Sequence, residues 1–498
     1  MQTKESIRKL HKAWRVPKIY CNPPGWIDFV PGLLWGDEAK SRVVFDLSVD
    51  YDIVARFNGG PNAGHTVVYE KDGQKIECVF HQMPAGILRE RVKVFLGNGM
   101  VINPVILQKE IDDLIEQGID IKGRIFISQN AHIITPTNRM LDAAEEWASG
   151  GRIGSTQMGI TPTYLRKIGR KGLRFGDYKY LREDFNERYQ KSKSEDIEKA
   201  KSLKFDVDNY TIEKMSLADY ETLWFESLEK IFQEAEIVNV EWINNQIADG
   251  ARVLGEGAQG GMLDIDFGTY PFVTSSNATT GGLLTGLGVR TSYIRKVIGV
   301  TKATYVTRVG KGPFPTRMKD DGEYGEKLQQ NGFEFGRTTG RPRDTGPLDL
   351  VALRYTVMIN GVTELFLTKI DVMDGGDYKK LKICVGYEVN GEVVYEMPYE
   401  AYSRDVIPVY IEIPWCERAV LEDGTLAPEA ITLCELIEEY TGVPVKYISY
   451  SPKSGDFIRL WYYTNKKEES INSSFFTIIK NQHNHLKFMI YISIYIFI

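Results

Sequence analysis

An α/β fold built on a mainly parallel sheet is predicted by three features of this chain. Short apolar runs that read as buried strands alternate with longer helical stretches, no fixed-period repeat is visible, and Gly-rich loops follow several of the runs. The runs are Ile27–Leu34, Asp52–Phe57, Val92–Phe95, Arg124–Ile127, Val253–Leu254, Val297–Val300 and Glu364–Thr368. After Asn103-Pro104, the spacing of Leu107, Ile111, Leu114 and Ile115 predicts a helix with one apolar face that stops at Gly118. Ligands of such sheets sit beyond the carboxyl ends of the strands, so the chemistry is expected in the Gly-rich loops.

At 498 residues the chain can form one large α/β domain or two medium ones, and 43% apolar with 26% charged content is ordinary for a globular protein. A net charge of -6 gives no electrostatic reason to expect nucleic-acid binding. Cys21, Cys78, Cys384, Cys416 and Cys434 lack CxxC spacing, which argues against a zinc site or disulfide framework and suits a reducing, cytoplasmic compartment. No apolar run approaches the roughly 20 residues needed to cross a bilayer. Residues 1–25 are basic and acid-poor, in the manner of a targeting segment, but a solvated extension is the favoured expectation. From about residue 465 the composition shifts to Asn, Lys, Ser, Ile, Phe and Tyr, as in translated non-coding sequence. A disordered or non-native tail is expected over 465–498, leaving one domain over 26–464.

The first loop reads Trp35-Gly36-Asp37-Glu38-Ala39-Lys40-Ser41-Arg42. A strand, a glycine turn and a Lys opening a helical stretch are the layout of a phosphate cradle, although the GxxxxGK[ST] pattern is absent and a structural turn is an equal reading. The second loop, Asn58-Gly59-Gly60-Pro61-Asn62-Ala63-Gly64-His65-Thr66, sets polar groups among glycines, and His65 there is a candidate acid–base group. His81, in a strand-like stretch, reads as structural. Gly255-Glu256-Gly257-Ala258-Gln259-Gly260 matches GxGxxG, but no amphipathic helix follows and the dinucleotide reading is rejected. Thr338-Thr339-Gly340-Arg341-Pro342-Arg343 offers two guanidinium groups beside hydroxyls for capture of a carboxylate or phosphate. Asp371, in Thr368-Lys369-Ile370-Asp371, could accept from both N1–H and the 2-amino group of guanine, though Lys-x-Asp triplets are common. The basic cluster Arg166, Lys167, Arg170, Lys171 and Arg174 reads by default as a solvated face.

In this order the segments resemble adenylosuccinate synthetase over about residues 26–464. The resemblance is carried by GGPNAGHTVV (59–68), GEGAQGGMLDIDFGTYPFVTSSN (255–277), TRVGKGPFPT (307–316), EFGRTTGRPR (334–343) and LDLVALRY (348–355). It implies a single large α/β domain with helices on both faces of a mostly parallel sheet, an architecture related to P-loop GTP-binding folds, working as a homodimer. The implied activity is ligation of L-aspartate to IMP with GTP and Mg²⁺, in purine biosynthesis. By resemblance, Asp37 removes the N1 proton of IMP, and His65 is the general acid. Gly36, Asp37, Glu38, Ala39, Lys40, Ser41, Arg42, Gly64, His65, Thr66 and Arg343 match GTP contacts. Lys369, Ile370 and Asp371 match the guanine-recognition segment, joined by Ser449, Tyr450 and Ser451. Asp37, Glu38, Ala39, Lys40, Asn62, Ala63, Gly64, His65, Thr156, Gln259, Thr274 and Arg341 match IMP contacts, with Arg170 reaching in from a dimer partner. Arg337, Thr338, Thr339, Gly340, Arg341, Pro342 and Arg343 match the aspartate site, and Asp37 with the Gly64 carbonyl matches the metal site.

Several positions depart from the family. Its GDEGKGK is GDEAKSR here, its GTTGRGIGP is Gly154-Ser155-Thr156-Gln157-Met158-Gly159-Ile160-Thr161-Pro162, its CGWLD is Thr345-Gly346-Pro347-Leu348-Asp349, and its SVGP is Ser449-Tyr450-Ser451-Pro452. If either lost glycine requires φ > 0, the loop is strained by about 1–2 kcal/mol. Two alternatives therefore stand beside the standard enzyme: a nucleotide-binding homologue with weakened turnover, and a variant acting on a guanine nucleotide such as dGMP.

Overall fold

The computed structural model describes residues 24–62, 64–71, 73–151, 154–318, 322–335, 342–375, 378–402 and 406–460. Contacts divide the chain into a unit ending at Ile458 and a second from Arg459 to Ile498, of which only residues 459 and 460 are described. The architecture belongs to the first unit.

Its centre is a ten-stranded sheet whose strands, in chain order, are β1 (Trp26–Gly32), β2 (Ile53–Arg56), β3 (Lys93–Leu96), β4 (Ile125–Ser128), β5 (Glu236–Val238), β6 (Arg252–Gly260), β7 (Ile294–Lys302), β8 (Glu364–Thr368), β9 (Val445–Ser449) and β10 (Phe457–Arg459). They lie in the order β5-β4-β3-β2-β6-β1-β7-β8-β9-β10, and every pairing from β5 to β9 is parallel. The predicted α/β class and parallel sheet are as observed.

Both faces are covered. Alternate residues Val94, Leu96, Ile125 and Ile127 pack into a cluster with Leu107, Ile111 and Leu114 of a helix at Pro104–Glu116 and Trp224, Leu228 and Ile231 of a helix at Leu217–Glu234. The intervening Phe95 and Phe126 face Trp242 of a helix at Glu241–Ala248, with ring centroids 5.4 and 4.2 Å away. The period of two along the strands thus feeds two cores. The helix at 104–116 starts where expected: Asn103 caps it, accepting from Val105 N and Ile106 N, and Gly118 follows at φ 69°. Ile115, expected on its apolar face, is instead exposed.

One expectation changes. The Gly255–Gly260 stretch is not a loop but the second half of β6. Its glycines are required by close packing: a Cβ at Gly260 would lie 2.0 Å from Leu34 O, and one at Gly255 2.7 Å from Leu283 Cδ1. A smaller sheet of strands 305–308, 344–349, 380–389, 392–394 and 407–414 flanks the central one, and a hairpin, 65–71 with 74–80, follows β2. His81 comes just after that hairpin, and its carbonyl accepts from Arg56 Nη1 at 2.6 Å. Among the described residues no helix is long and apolar enough to cross a membrane.

Candidate functional site

Six adjacent strands, β2, β6, β1, β7, β8 and β9, send their carboxyl ends to the same edge of the sheet. The segments that carry the sequence signals lie there: 33–39 after β1, 57–62 and 64 after β2, 261–279 after β6, Lys369–Asp371 after β8 and Ser449–Ser451 at the end of β9. This is where a parallel sheet places its ligands.

The first loop turns on Gly36 at φ 89° and Asp37 at φ 65°, then enters helix α1 (Lys40–Leu47) through Ala39, also at φ 65°. Glu38 folds back beneath it. Its Oε1 accepts from Leu34 N at 3.1 Å and Gly36 N at 2.8 Å, and its Oε2 accepts from Lys40 Nζ at 2.7 Å. Both side chains of this pair are buried, so Lys40 holds the loop's shape from within. Ser41 is helical, and its hydroxyl donates to Glu256 Oε1 of β6 at 3.2 Å. Of the two lost glycines, only the one replaced by Ala39 stands at positive φ.

Asp37 meets Arg343 across the site, with Arg343 Nε 2.7 Å from Asp37 Oδ2. Arg343 is fixed by its own N–H, which donates to Glu334 O at 2.9 Å. Next to this pair lies a cluster of which the sequence singled out only Lys369. Glu334 Oε1 accepts from Lys302 Nζ at 2.7 Å, Lys369 Nζ at 2.6 Å and Tyr305 OH at 2.5 Å. Burial pushes Lys302 down to about 8, while the two ammonium groups hold Glu334 at about 2 against the cost of its own burial. The available signal was the position of Lys302 as the last residue of β7.

Lys369, at φ 55°, donates its N–H to Ser449 Oγ at 3.3 Å and so joins the ends of β8 and β9. Asp371 follows in a short 3-10 turn, and burial raises its carboxyl above the usual range. Arg42 points at the 451–456 segment, donating to the carbonyls of Ser451, Lys453 and Asp456. Tyr450 N donates to Asp456 O at 3.2 Å.

Asn62 Oδ1 in the second loop, Thr66 Oγ1 at the start of the hairpin and Thr274 Oγ1 after β6 are buried without a hydrogen-bond partner. Orphaned polar atoms of this kind are suited to a polar ligand. Gln259 is buried at φ 68° within β6. Thr156 and Gln157 are exposed in the segment 154–159, which Asp142 holds by accepting from Ser155 Oγ and Gly159 N at 2.7 and 2.8 Å. Arg170 is exposed after the helix at Ile160–Ile168. His65 opens the hairpin strand rather than lying in the loop, with its backbone paired to Phe80. Ala63 and residues 337–341 lie outside the described residues, as do 1–23 and 461–498. Among the described residues no group of three or more His, Cys, Asp or Glu is placed to hold a metal.

The sequence profile of adenylosuccinate synthetase matches residues 29–458. The adenylosuccinate synthetase of Parabacteroides distasonis is 44% identical over 430 residues, covering 86% of this chain and 97% of that protein. The structure of fully ligated adenylosuccinate synthetase from Plasmodium falciparum is similar at a TM-score of 0.76 and 33% identity, over 88% of this chain and 100% of that one. The succinoaminodeoxyadenylate synthetase of cyanophage S-2L, solved with dGMP and with dATP as an energy donor, shares the fold at a TM-score of 0.56 and 19% identity, over 87% and 95% of the two chains. The chain belongs to the adenylosuccinate synthetase family.

Proposed function

We propose that this protein ligates L-aspartate to IMP with GTP, giving adenylosuccinate, GDP and phosphate through 6-phosphoryl-IMP, in the branch of purine biosynthesis that leads to AMP. The family supports the overall reaction. The observation that carries the assignment of the site is the convergence of the 36–42, 58–64, 369–371 and 449–451 segments at one sheet edge, with Asp37 facing Arg343 at 2.7 Å.

In this reading Asp37 takes the N1 proton of IMP, and electron density moves to O6. O6 then attacks the γ-phosphorus of GTP, and the bond to GDP breaks. The aspartate amine adds at C6, loses a proton and expels phosphate. Arg343 orients the Asp37 carboxylate and, as a fork donor, is suited to the anionic groups that come together here. His65 acts as general acid beside the transferring phosphoryl group, and such roles typically contribute about 10²–10⁴-fold each. Asn62, Thr156, Gln259, Thr274 and Arg341 hold IMP, with Arg170 of a second subunit on its phosphate. The segment 337–343 holds aspartate. Lys369 and Asp371 read guanine. Asp37 and the Gly64 carbonyl would hold Mg²⁺, which when bound neutralises charge on the phosphates. Hard oxygen donors fit an ion that takes one or two carboxylates and completes its shell with phosphate and water. A cytoplasmic homodimer is the form proposed, and the free thiols of Cys78, Cys384, Cys416 and Cys434 suit that compartment.

Asp37→Ala and His65→Ala should each lower kcat by at least about 10²-fold while circular dichroism and melting temperature stay near wild type. Near wild-type turnover in either variant would refute the assigned mechanism.

A further inference from the structure

Arg42, where the family's usual pattern carries Lys, is committed to main chain. Its guanidinium donates to Ser451 O, to Lys453 O at 2.6 Å and to Asp456 O at 3.0 Å. Its Nε lies 3.4 Å from Asp46 Oδ2 one turn along α1, and Asp46 Oδ1 accepts from Gly455 N at 2.9 Å. The side chain is only 9% exposed. The same segment is fastened at other points: Ser454 Oγ donates to Val68 O at 2.7 Å, and Ser451 Oγ to Asp456 Oδ2 at 2.5 Å. At its leading end Ser449 Oγ accepts from Lys369 N. Arg42 and Asp46 therefore clamp the 449–456 segment to the helix that begins at the phosphate loop.

A guanidinium presents its donors in a rigid plane, whereas an ammonium is a point charge on a flexible stem. Lysine at this position would meet the carbonyls from a single nitrogen on a flexible stem, without the fixed spacing of the fork. The change to Arg42 and the change to Ser449-Tyr450-Ser451-Pro452 also lie on two segments that touch.

We propose that Arg42 is a positioning residue for the purine base of the nucleotide co-substrate, fixing the 449–456 segment against α1 so that phosphate loop and base-reading segment keep one spacing. The inference rests on the reading of GTP as co-substrate. In it the Arg42 charge is spent on carbonyls, and Arg42 is not itself a phosphate ligand.

The test is Arg42→Lys, which keeps the charge and removes the fork. The KM for GTP should rise about tenfold, as expected for loss of charge-assisted hydrogen bonds, while kcat and the KM values for IMP and aspartate stay within about twofold. Guanosine, a probe without phosphates, should weaken as a competitive inhibitor by the same factor as GTP. A phosphate ligand would leave guanosine inhibition unchanged, and that result overturns the proposal, as does an unchanged KM for GTP. Ser454→Ala loosens the same segment without touching Arg42 and should raise the KM for GTP and the guanosine inhibition constant about threefold. It carries the test if Arg42→Lys does not fold, and unchanged values then refute the proposal. Wild-type protein that forms no adenylosuccinate with GTP would overturn the functional reading itself, whereas normal turnover with an indifferent Arg42→Lys overturns the positioning role alone.

Discussion

Ala39 stands at φ 65° and ψ 33° immediately before α1, a conformation that costs a residue with a Cβ about 1–2 kcal/mol. Glycine would remove that cost and give back about 0.5–1 kcal/mol in chain entropy. Ala39→Gly should therefore stabilise the fold by about 0.5–1 kcal/mol in denaturant melts, and a loss of stability would show that the alanine is unstrained. Ser41 offers no comparable gain, because it is helical and bonded to Glu256. At this scale the charge and place of a residue are legible in the sequence, but the partner its side chain meets is not. By resemblance Lys40 and Arg42 match GTP contacts, and in the structure Lys40 is buried against Glu38 while Arg42 donates to the carbonyls of Ser451, Lys453 and Asp456. Composition carries charge but not direction. The contact between Asp37 and Arg343 was equally unreadable, since it exists only once β1 and the strand at 344–349 are in place.

Strands were legible where burial of both faces makes a continuous apolar run. Glu364–Thr368 coincides with β8, and Asp52–Phe57 brackets β2 by one residue at each end. The second half of β6 was not legible: glycines usually signal a turn, and here they answer to neighbouring backbone. His132 illustrates the same limit for a short strand at 132–133. Burial, reinforced by Lys167, Arg174 and Arg188, lowers its imidazole from 6.5 to about 3. Between those values the unfolded chain binds a proton that the native chain refuses, so the contribution of His132 to stability is present above pH 6.5 and is lost as pH falls toward 3. Wild type should lose stability relative to His132→Gln across this window, by up to about 1.4 kcal/mol per pH unit, in melts followed against pH. Curves that run parallel would contradict the buried, uncharged histidine.

For the whole molecule, the parallel sheet explains why loops widely separated in sequence come to one edge. The class was readable from the alternation of strands and helices, but the order β2-β6-β1-β7-β8-β9 that brings the loops together was not, because non-local pairing leaves no periodic trace. Arg170, exposed and in the left-handed region, is proposed to act on the IMP of a second subunit. Mixing Arg170→Leu with Asp37→Ala subunits should restore activity, since each hybrid dimer holds one intact site; no rescue in verified hybrids would remove the shared site. What separates the two candidate reactions is the purine that is aminated. An Asp37 placed beside N1 lies close to position 2 of the ring, where a 2-amino group would crowd it, and the altered Gln157 and Met158 beside Thr156 are the main reason to test this. The direct measurement is a side-by-side assay of IMP and dGMP at matched concentrations with GTP, aspartate and Mg²⁺, following the absorbance change of the succinylated product. A higher kcat/KM for IMP is predicted, and a higher kcat/KM for dGMP would contradict it.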